Sequence, residues 1–574
     1  MKRSVLNRIF RFMRPYRRQL IWGCCSAVAY VLFSLLVPVF IGRAVDQVPI
    51  SLSGVGLSLC LLVITVLLSA LFQWCMNVSV RKVSGYAARD MRTAAFNRIN
   101  EVPLAYIDGH SHGDIISRMV NDTDLVCEGV LQGLTQLLPG AATIVGTLVV
   151  MAVLNPLIAL VVVLVTPLSI VFAGFVGKRT AKLFRKQSAA QGSLSGHINE
   201  MVAGRNVVKS FGYEEECFAR FDAIAEELYD SGFKSIFYSS VVNPGTRFVN
   251  AIVYAAVAVI GSISVVNGAI TVGQLSCFLA YANQYTKPFN EITGVLTQLQ
   301  SALASAQRLL ELIDTPPQTP DAPNAANPQT CRGHVQVQDL SFRYRSEVPL
   351  IDGFCLDAKP GSRVAIVGPT GCGKTTIINL LMRFYEADRG TIAVDGTPVQ
   401  AMRRSALRNM YGMVLQETWL KNATVRANIA YANPNATEEE VVNAAKAAYA
   451  HGFIKRLPKG YDTVVEPDGG NLSAGQKQLL CIARIMLAKP QMLILDEATS
   501  SIDTRTEMLI QKAFEKLMQG HTSFVVAHRL STIQGADEIL VMDKGHIIEQ
   551  GTHEKLLEQN GFYAKLFYSQ FAVE

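Results

Sequence analysis

Long runs of apolar residues dominate the chain from about residue 20 to residue 300, whereas the remainder has the mixed apolar and polar pattern of a soluble protein. A helix needs about 20 apolar residues to cross a bilayer. We therefore predict six transmembrane helices followed by a globular part. The predicted spans are Leu20–Phe40, Leu57–Val78, Leu134–Leu154, Leu157–Val176, Phe248–Val266 and Val272–Tyr285.

Three stretches of the chain lack Lys and Arg, and each holds two predicted spans joined by a short turn. They are residues 44–80, 119–177 and 248–286. Because cytoplasmic segments are enriched in Lys and Arg, the turns in these stretches are predicted to lie on the far side, with both termini in the cytosol. The first apolar run lacks a small-residue cleavage site, so we interpret it as a membrane helix in the lipid bilayer of the bacterial inner membrane rather than as a signal peptide.

The basic stretches between spans are predicted to be helical stalks outside the bilayer. Residues 81–100 and 178–230 carry apolar residues at helical spacing and little Pro. The chain is expected to turn between paired stalks near Gly113–Arg118 and near Phe211–Glu215.

Residues 315–330 are rich in Pro and Asn, which is typical of a linker. Strand-like runs follow at HVQVQDLSFRY, RVAIVG, MLILD, SFVVAH and EILVMD, with helical segments between them. This alternation predicts an α/β domain with a largely parallel core. The predicted organisation is an all-α membrane domain at residues 1–314, a linker at 315–330 and an α/β P-loop domain at 331–574.

The segment GPTGCGKTT fits the phosphate-loop pattern G-x-x-x-x-G-K-[ST] and lies between a predicted strand and a predicted helix, the context that this motif requires. Its glycines let backbone N–H groups turn toward phosphate oxygens at a helix N-terminus. Lys374 is predicted to reach the β- and γ-phosphates, and the Thr375 hydroxyl to hold Mg²⁺. The predicted loop residues are Gly368, Pro369, Thr370, Gly371, Cys372, Gly373, Lys374, Thr375 and Thr376.

A second motif, MLILDE, is an apolar strand that ends in two acidic residues. A buried strand would deliver Asp496 beside the metal. Glu497 then follows at the position where a general base for the attacking water is needed.

The segment NLSAGQKQ completes a set of motifs that resembles an ATP-binding-cassette (ABC) transporter of the exporter type. The family signature LSGGQ corresponds here to Leu472, Ser473, Ala474, Gly475 and Gln476. The resemblance implies that Tyr344 stacks on adenine, Gln416 senses Mg²⁺, and His528 contacts the γ-phosphate. It also implies that Ser501–Ile502–Asp503 links the two ATP sites.

The family resemblance further implies a dimer in which each ATP lies between the phosphate loop of one chain and the signature helix of the other. Ser473 and neighbouring N–H groups would bind the γ-phosphate from across the interface. Closure of the dimer would open the membrane cavity alternately to each side. The two predicted turns between stalks match the family's coupling helices in position.

The net charge of +7 does not indicate a nucleic-acid partner, because much of the basic excess lies at membrane edges. The 11 cysteines show no CxxC pair and no zinc-like spacing with His. Cys372, inside the phosphate loop, is predicted to have a lowered thiol pKa because it precedes a helix.

The transported compound is less well defined by the sequence. Polar residues in or near the spans are compatible with a substrate path or with hydrogen bonds between helices. A mostly apolar cavity favours small amphipathic compounds such as drugs, lipids or hydrophobic peptides. Two alternatives remain: import of metal-chelating molecules on the same fold, and a nucleotide-gated channel or regulator. The polar residues are Gln136, Asn243, Asn250, Asn283, Gln284 and Gln298, with Arg247 and Lys287 at the cytosolic side.

Two departures from the family pattern favour a heterodimer over a homodimer. Ala474 replaces the usual glycine of the signature, and the preceding segment reads EPDGGN. Both segments would serve the partner's ATP. A Cβ at position 474 adds a methyl group near the phosphate and restricts φ. We therefore expect a different half-transporter as partner.

Overall fold

The computed structural model describes residues 2–344, 348–415, 418–496, 502–526 and 533–571. The chain forms two compact units. One comprises Met1–Glu101 and His110–Pro316, and the other comprises Val102–Gly109 and Pro317–Glu574.

The first unit is built from long helices, and the short helix α4, which lies among them in chain order, belongs to the second unit. Two π-helical turns, Arg118–Asp122 and Gly133–Leu137, join α5, α6 and α7 into one segment. The helices are α1 Lys2–Met13, α2 Arg17–Gln47, α3 Leu52–Glu101, α4 Leu104–Asp108, α5 His112–Ser117, α6 Thr123–Gln132, α7 Leu138–Leu154, α8 Pro156–Ala203, α9 Arg205–Phe211, α10 Glu214–Val266 and α11 Val272–Asp314.

Among the described residues, three helical segments are long and apolar enough to cross a membrane, and Asn250–Val266 is a shorter apolar helix. The three are Val5–Gln47, Leu52–Glu101 and His112–Leu154. The remaining predicted spans lie within α8 and α11, so a total of six spans stays a prediction. Helices α3, α8 and α10 contain 50, 48 and 53 residues. At 1.5 Å per residue each is more than 70 Å long, roughly twice a bilayer's hydrocarbon thickness, so each has length to spare for a stalk.

Helices α2 and α11 approach closely because two glycines face each other at their crossing. A Cβ on Gly273 would lie 2.0 Å from the carbonyl oxygen of Gly42. Beside them, Asp46 accepts hydrogen bonds from the Gly273 N–H and the Thr271 hydroxyl, both at 2.7 Å. The carboxylate of one helix therefore caps the N-terminus of the other, where negative charge is stabilising.

The first connection between stalks is not where the sequence predicted it. Residues Gly113–Arg118 already belong to α5 and the π-helical turn after it. The turn comes earlier, because Pro103 disfavours helix at Val102 and α3 ends at Glu101. The second connection overlaps the prediction: α9 ends at Phe211, and Gly212 adopts φ +61° before α10 begins.

The second unit contains two sheets. The smaller is antiparallel with order β2-β1-β4-β5, and the larger has order β10-β9-β3-β8-β7-β6. In the larger sheet β9, β3, β8, β7 and β6 run parallel and β10 pairs antiparallel at one edge, which confirms the predicted α/β class. The strands are β1 Val335–Phe342, β2 Ile351–Ala358, β3 Arg363–Val367, β4 Arg389–Val394, β5 Thr397–Pro398, β6 Tyr411–Val414, β7 Met492–Asp496, β8 Thr522–Val526, β9 Glu538–Asp543 and β10 His546–Gly551.

Apolar layers cover both faces of the parallel sheet. Leu493 and Leu495 of β7 pack into one layer, and Met492 and Ile494 into the other. A strand buried on both faces reads as a continuous apolar run, which is why MLILD was recognisable. The helices of this part are α12 Lys374–Leu381, α13 Arg404–Met410, α14 Val425–Ile429, α15 Glu438–Ala447, α16 His451–Ile454, α17 Ala474–Ala488, α18 Thr504–Met518, α19 His553–Glu558 and α20 Phe562–Phe571.

The Pro-rich segment before β1 contains no helix or strand in its described residues, yet it is held to the second unit. The Arg404 guanidinium, 7% exposed, donates to the carbonyl of Thr319 and to the carboxylate of Asp321, both at 2.7 Å. The Ala326 N–H donates to the Ala401 carbonyl at 2.8 Å. These bonds fix the end of the segment before it enters the sheet.

Candidate nucleotide-binding site

Four parallel strands bring the sequence motifs to one edge of the large sheet. The phosphate loop follows β3, Asp496 ends β7, and Asp496 pairs in register with Val526 at the end of β8. Since carboxyl ends of adjacent parallel strands lie at the same edge, the segments that follow them start side by side. Three predicted catalytic residues follow these strand ends within two positions but lie outside the described residues: Gln416, Glu497 and His528.

The phosphate loop owes its shape to its glycines. Gly371 and Gly373 adopt φ values of +84° and +107°, which favour glycine. At Gly368 a Cβ would lie 2.2 Å from the backbone oxygen of Met542. Pro369 and Thr370 form the exposed rim of the loop. The loop thus turns tightly over the end of β3 and leads directly into α12.

Lys374 is 8% exposed and lies across the loop that precedes it. Its Nζ donates to the carbonyl oxygens of Gly368 at 2.7 Å and Pro369 at 3.0 Å. An ammonium group has three donors, and the third contacts the Cys372 Sγ at 4.0 Å, a weak acceptor that a phosphate oxygen can replace. Thr375 is exposed at the start of α12, whereas Thr376 is buried and 5% exposed.

The oxygen ligands present fit a magnesium ion bound together with a nucleotide. Mg²⁺ is typically held by one or two carboxylates plus substrate phosphates and water. Thr375 supplies an exposed hydroxyl, and Asp496 supplies a carboxylate with 9% exposure at the strand end. In the described part of the chain no three His, Cys, Asp or Glu residues form a metal cluster by themselves.

The predicted pKa of Cys372 was wrong in direction. Burial raises the pKa of this thiol, and the nearby Lys374 only partly opposes the rise. The side chain is 3% exposed because it packs under Gly368, whose Cβ would lie 2.8 Å from Sγ. Nearness to a helix N-terminus is outweighed by the loss of solvent around the thiolate.

We therefore expect maleimide to modify Cys372 much more slowly than the exposed Cys355 of β2 at neutral pH. A thiol with a raised pKa holds less thiolate, the reactive form. Timed labelling of the folded protein, with modified peptides quantified by mass spectrometry, measures both rates. The buried Cys481 is the matched control. Rapid, ATP-protected labelling of Cys372 would restore the expectation drawn from the sequence.

Tyr344 lies within an aromatic cluster at the edge of the small sheet. Its ring meets Phe342 and Tyr385 edge to face, with centroids 4.9 Å and 5.0 Å apart. The Asn379 amide donates to its hydroxyl at 3.3 Å. The side chain keeps 48% exposure, so a ring face is available for stacking.

The signature segment forms a capped helix start. The Ser473 Oγ accepts from the Gln476 N–H at 3.3 Å, and the Gln476 side chain accepts from the Ser473 N–H at 3.1 Å. This capping box leaves the Ser473 hydroxyl proton free to donate to an anion. Ala474 is exposed at the first helical position, and Gly475 is buried against Ile502 and Thr506.

Ala474 shows none of the backbone strain that the sequence suggested. Its helical conformation is one that alanine favours. Only the added methyl group, exposed at the helix start, remains as a difference from glycine.

Asp503 caps the next helix. Its Oδ1 accepts from the Thr506 N–H at 2.9 Å, and this backbone bond lowers the pKa of the carboxyl. The carboxylate is exposed and ionised at neutral pH, one residue beyond Ile502, which packs on the signature glycine.

Family models match both parts of the chain. The model described as "ABC transporter transmembrane region" matches residues 20–289, and that described as "ABC transporter" matches residues 351–500. A fatty acid ABC transporter ATP-binding/permease protein of Mycobacterium tuberculosis is 41% identical over 529 residues, 92% of this chain and 82% of that protein. The chain belongs to the ABC transporter family. It is an exporter-type member with its transmembrane region fused to an ATPase that is coupled to transport.

Two further ABC proteins extend the likeness over almost the whole length. An ATP-dependent lipid A-core flippase of Desulfotalea psychrophila is 34% identical over 578 residues, covering 99% of this chain and 100% of that protein. A solved structure of a bacterial Atm1-family ABC exporter with ATP bound has a TM-score of 0.79 at 29% identity, covering 97% and 98% of the two chains.

Sequence reasoning missed one contact of this ABC transporter that connects α4 to the aromatic cluster. The Tyr385 hydroxyl donates to the carboxylate of Asp108, the last residue of α4. Burial and this bond both raise the pKa of the tyrosine. Pro103 was the sequence signal that could have indicated it, because a proline there ends α3 before α4 begins. The contact joins the Tyr344 ring to the segment between the first two stalks.

Replacing Tyr385 with phenylalanine is expected to uncouple transport from hydrolysis. The ring packing on Tyr344 survives, but the charge-assisted hydrogen bond to Asp108 is lost. We expect near-normal basal ATPase activity and a several-fold loss of substrate stimulation, measured in one preparation. Tyr568→Phe, which removes an exposed hydroxyl of α20, is the matched control. Unchanged stimulation in Tyr385→Phe would remove the coupling role.

Proposed function

We propose that this chain is one half of an exporter that uses ATP with Mg²⁺ to move lipids and other amphipathic compounds out of the cytosol. Its domains are a membrane domain at residues 1–314, a linker at 315–330 and a nucleotide-binding domain at 331–574. It lies in the bacterial inner membrane with both termini in the cytosol. The observation that carries the proposal is the convergence of the phosphate loop, Asp496 and the ends of β6 and β8 at one sheet edge.

Each residue of the site has a distinct task. Tyr344 stacks on the adenine. The loop residues Gly368–Thr376 bind phosphates through backbone N–H groups, and Lys374 neutralises them. Thr375, Gln416 and Asp496 hold the metal, which withdraws charge from the phosphates when bound.

The hydrolytic step belongs to residues that follow the strand ends. Glu497 accepts a proton from the attacking water. His528 contacts the γ-phosphate, and Gln416 orients the water and reports to the membrane domain. In turn, this chain's segment Ser473–Gln476 closes over the phosphates bound by the partner, and Asp503 links the two sites.

We infer that the partner is a different half-transporter. The methyl group of Ala474 is exposed at the signature helix start, where it faces the partner's phosphates. The ATP site that Ala474 covers, on the partner's phosphate loop, would bind ATP and hydrolyse it slowly. The other ATP site, on this chain's own phosphate loop, would be the active one. Purification of the chain alone tests this. A stable homodimer with substrate-stimulated ATPase and transport refutes the heterodimer, and rescue by co-expression with a half-transporter that lacks the catalytic glutamate supports it.

The substrate class is supported by the relatives, whose names state fatty acid and lipid A-core as their compounds. The decisive experiment is transport of a fluorescent lipid in proteoliposomes with ATP and with a non-hydrolysable analogue. ATP-dependent movement out of the leaflet that faces the nucleotide-binding domain supports export. Movement in the opposite direction indicates import, and flux with the analogue alone indicates a gated channel.

A further inference from the structure

The first unit has an open cavity of about 870 Å³ between α2, α3, α7 and α11. This volume falls in the range of roughly 300–1,000 Å³ that sites for single small molecules occupy. Tyr30 and Ile41 line its two ends along α2, a distance of about 17 Å at 1.5 Å per residue. The cavity is therefore elongated enough for one hydrocarbon chain.

The lining of the cavity is mixed, with about as many polar as apolar residues. Val37, Val66 and Met76 belong to the apolar part, and Gln136 and Asn283 supply amides. Among the described residues that line it, Lys287 is the single charged side chain. The charge of these described residues is therefore positive.

Lys287 lies one residue before a proline that breaks the hydrogen-bonding ladder of α11. Pro288 lacks an N–H, so the Gln284 carbonyl loses its usual donor, and Pro38 does the same to the Ser34 carbonyl in α2. The Gln284 amide donates to the Ser34 hydroxyl at 2.7 Å and ties the two interrupted helices together. A hydrogen bond between two helices therefore holds the part of the cavity next to Lys287, whose side chain is exposed.

The exposed ammonium group is solvated in the empty cavity, but a ligand that covers it would bury the charge, which is costly unless the ligand carries a counter-charge. In the described part of the chain no carboxylate pairs with Lys287. A hydrophobic solute without charge would leave the ammonium unpaired, and a cationic one would be repelled.

We propose that this cavity binds single-chain amphiphiles with an anionic headgroup, a carboxylate or a phosphate monoester, paired to Lys287. The proposal rests on the proposed export function and adds two properties of the substrate, its negative charge and its single hydrocarbon chain. The hydrocarbon chain lies against Val37 and Ile41 of α2 and Val66 of α3, which belong to the apolar part of the lining. The amides of Gln136 and Asn283 are further donors near the headgroup.

Photolabelling tests the site without requiring ATP. The probe is hexadecanoic acid carrying a diazirine in its chain, applied to inverted membrane vesicles that contain the full chain, with a partner subunit if one is required. The competitors are hexadecanoate, hexadecyl phosphate, hexadecanol and hexadecylamine. Mass spectrometry locates the label.

We expect labelling of α2, α3, α7 or α11, with the two anionic competitors about 10- to 100-fold more effective than the alcohol, the scale of one charge-assisted bond. Lys287→Met should abolish that preference, and Lys287→Arg should retain it. Ala280→Phe, which fills the cavity without changing its charge, should reduce labelling by every probe. The competitor that displaces the probe more strongly, hexadecanoate or hexadecyl phosphate, shows whether the site prefers a carboxylate or a phosphate headgroup.

Equal competition by hexadecanol on the unsubstituted chain overturns the proposal, and this measurement needs no variant to fold. An unchanged anionic preference in Lys287→Met overturns it as well. Glu291 follows Lys287 by four positions, and Glu291→Gln tests whether Lys287 serves only as its ion-pair partner within the helix. In that case Lys287→Met and Glu291→Gln reduce labelling by all compounds equally, and the proposal is wrong. Anion-selective labelling without ATP-driven transport would contradict the proposed function alone.

Discussion

Replacing Glu497 with glutamine is expected to slow ATP hydrolysis by roughly 10²-fold or more, the scale of losing a general base. Glutamine keeps the shape of the side chain but cannot take the proton from the attacking water. ATP binding depends on the phosphate loop and is expected to persist, so the variant should accumulate in an ATP-bound closed state.

Steady-state phosphate release and retention of radiolabelled nucleotide measure the two quantities separately. Glu558→Gln, an exposed change at the C-terminal end of α19, is the matched control and should behave like the unsubstituted chain. Turnover near normal in Glu497→Gln would refute the assignment of the general base. Loss of nucleotide binding together with turnover would instead point to a structural role.

Replacing Gly273 with alanine is expected to prevent correct packing of α2 against α11. The new Cβ would lie 2.0 Å from the Gly42 carbonyl oxygen and 2.6 Å from the Asp46 carboxylate. Backbone atoms cannot rotate away, so the helices must separate and break the two hydrogen bonds to Asp46. We expect a loss of at least about 3 kcal/mol, the upper end for overpacking, seen as a large fall in monodisperse protein on detergent size exclusion.

Gly85→Ala is the matched control for this change. Gly85 lies within α3, and a Cβ there would meet nothing within 4 Å. Alanine should be neutral or stabilise the helix by about 0.5–1 kcal/mol. Similar behaviour of the two variants would contradict the close crossing at Gly42 and Gly273.

Features carried by local patterns were predictable from the sequence. Apolar runs of bilayer length coincide with helices, and the run MLILD is a strand because both of its faces are buried. The phosphate loop could be recognised because Gly371 and Gly373 adopt positive φ, a local requirement that glycine satisfies.

Features set by distant partners were not predictable. The thiol of Cys372 has a raised pKa because the folded loop buries it, and a motif at a helix start carries no information about that burial. The contact between Asp108 and Tyr385 joins residues 277 positions apart. The pairing of α2 with α11 depends on Gly42 and Gly273, which resemble ordinary glycines in apolar segments when each is read alone.

The assignment of Val102–Gly109 to the second unit has a consequence for synthesis. Translation makes this segment long before the rest of its unit, and at 5–20 residues per second the 277 residues from Asp108 to Tyr385 take roughly 15–55 s. During that interval α4 has no partner surface, and Tyr385 reaches Asp108 only late in translation. A nucleotide-binding fragment expressed from residue 317 onward would lack α4 altogether, so its folding and stability would understate those of the same unit within the full chain.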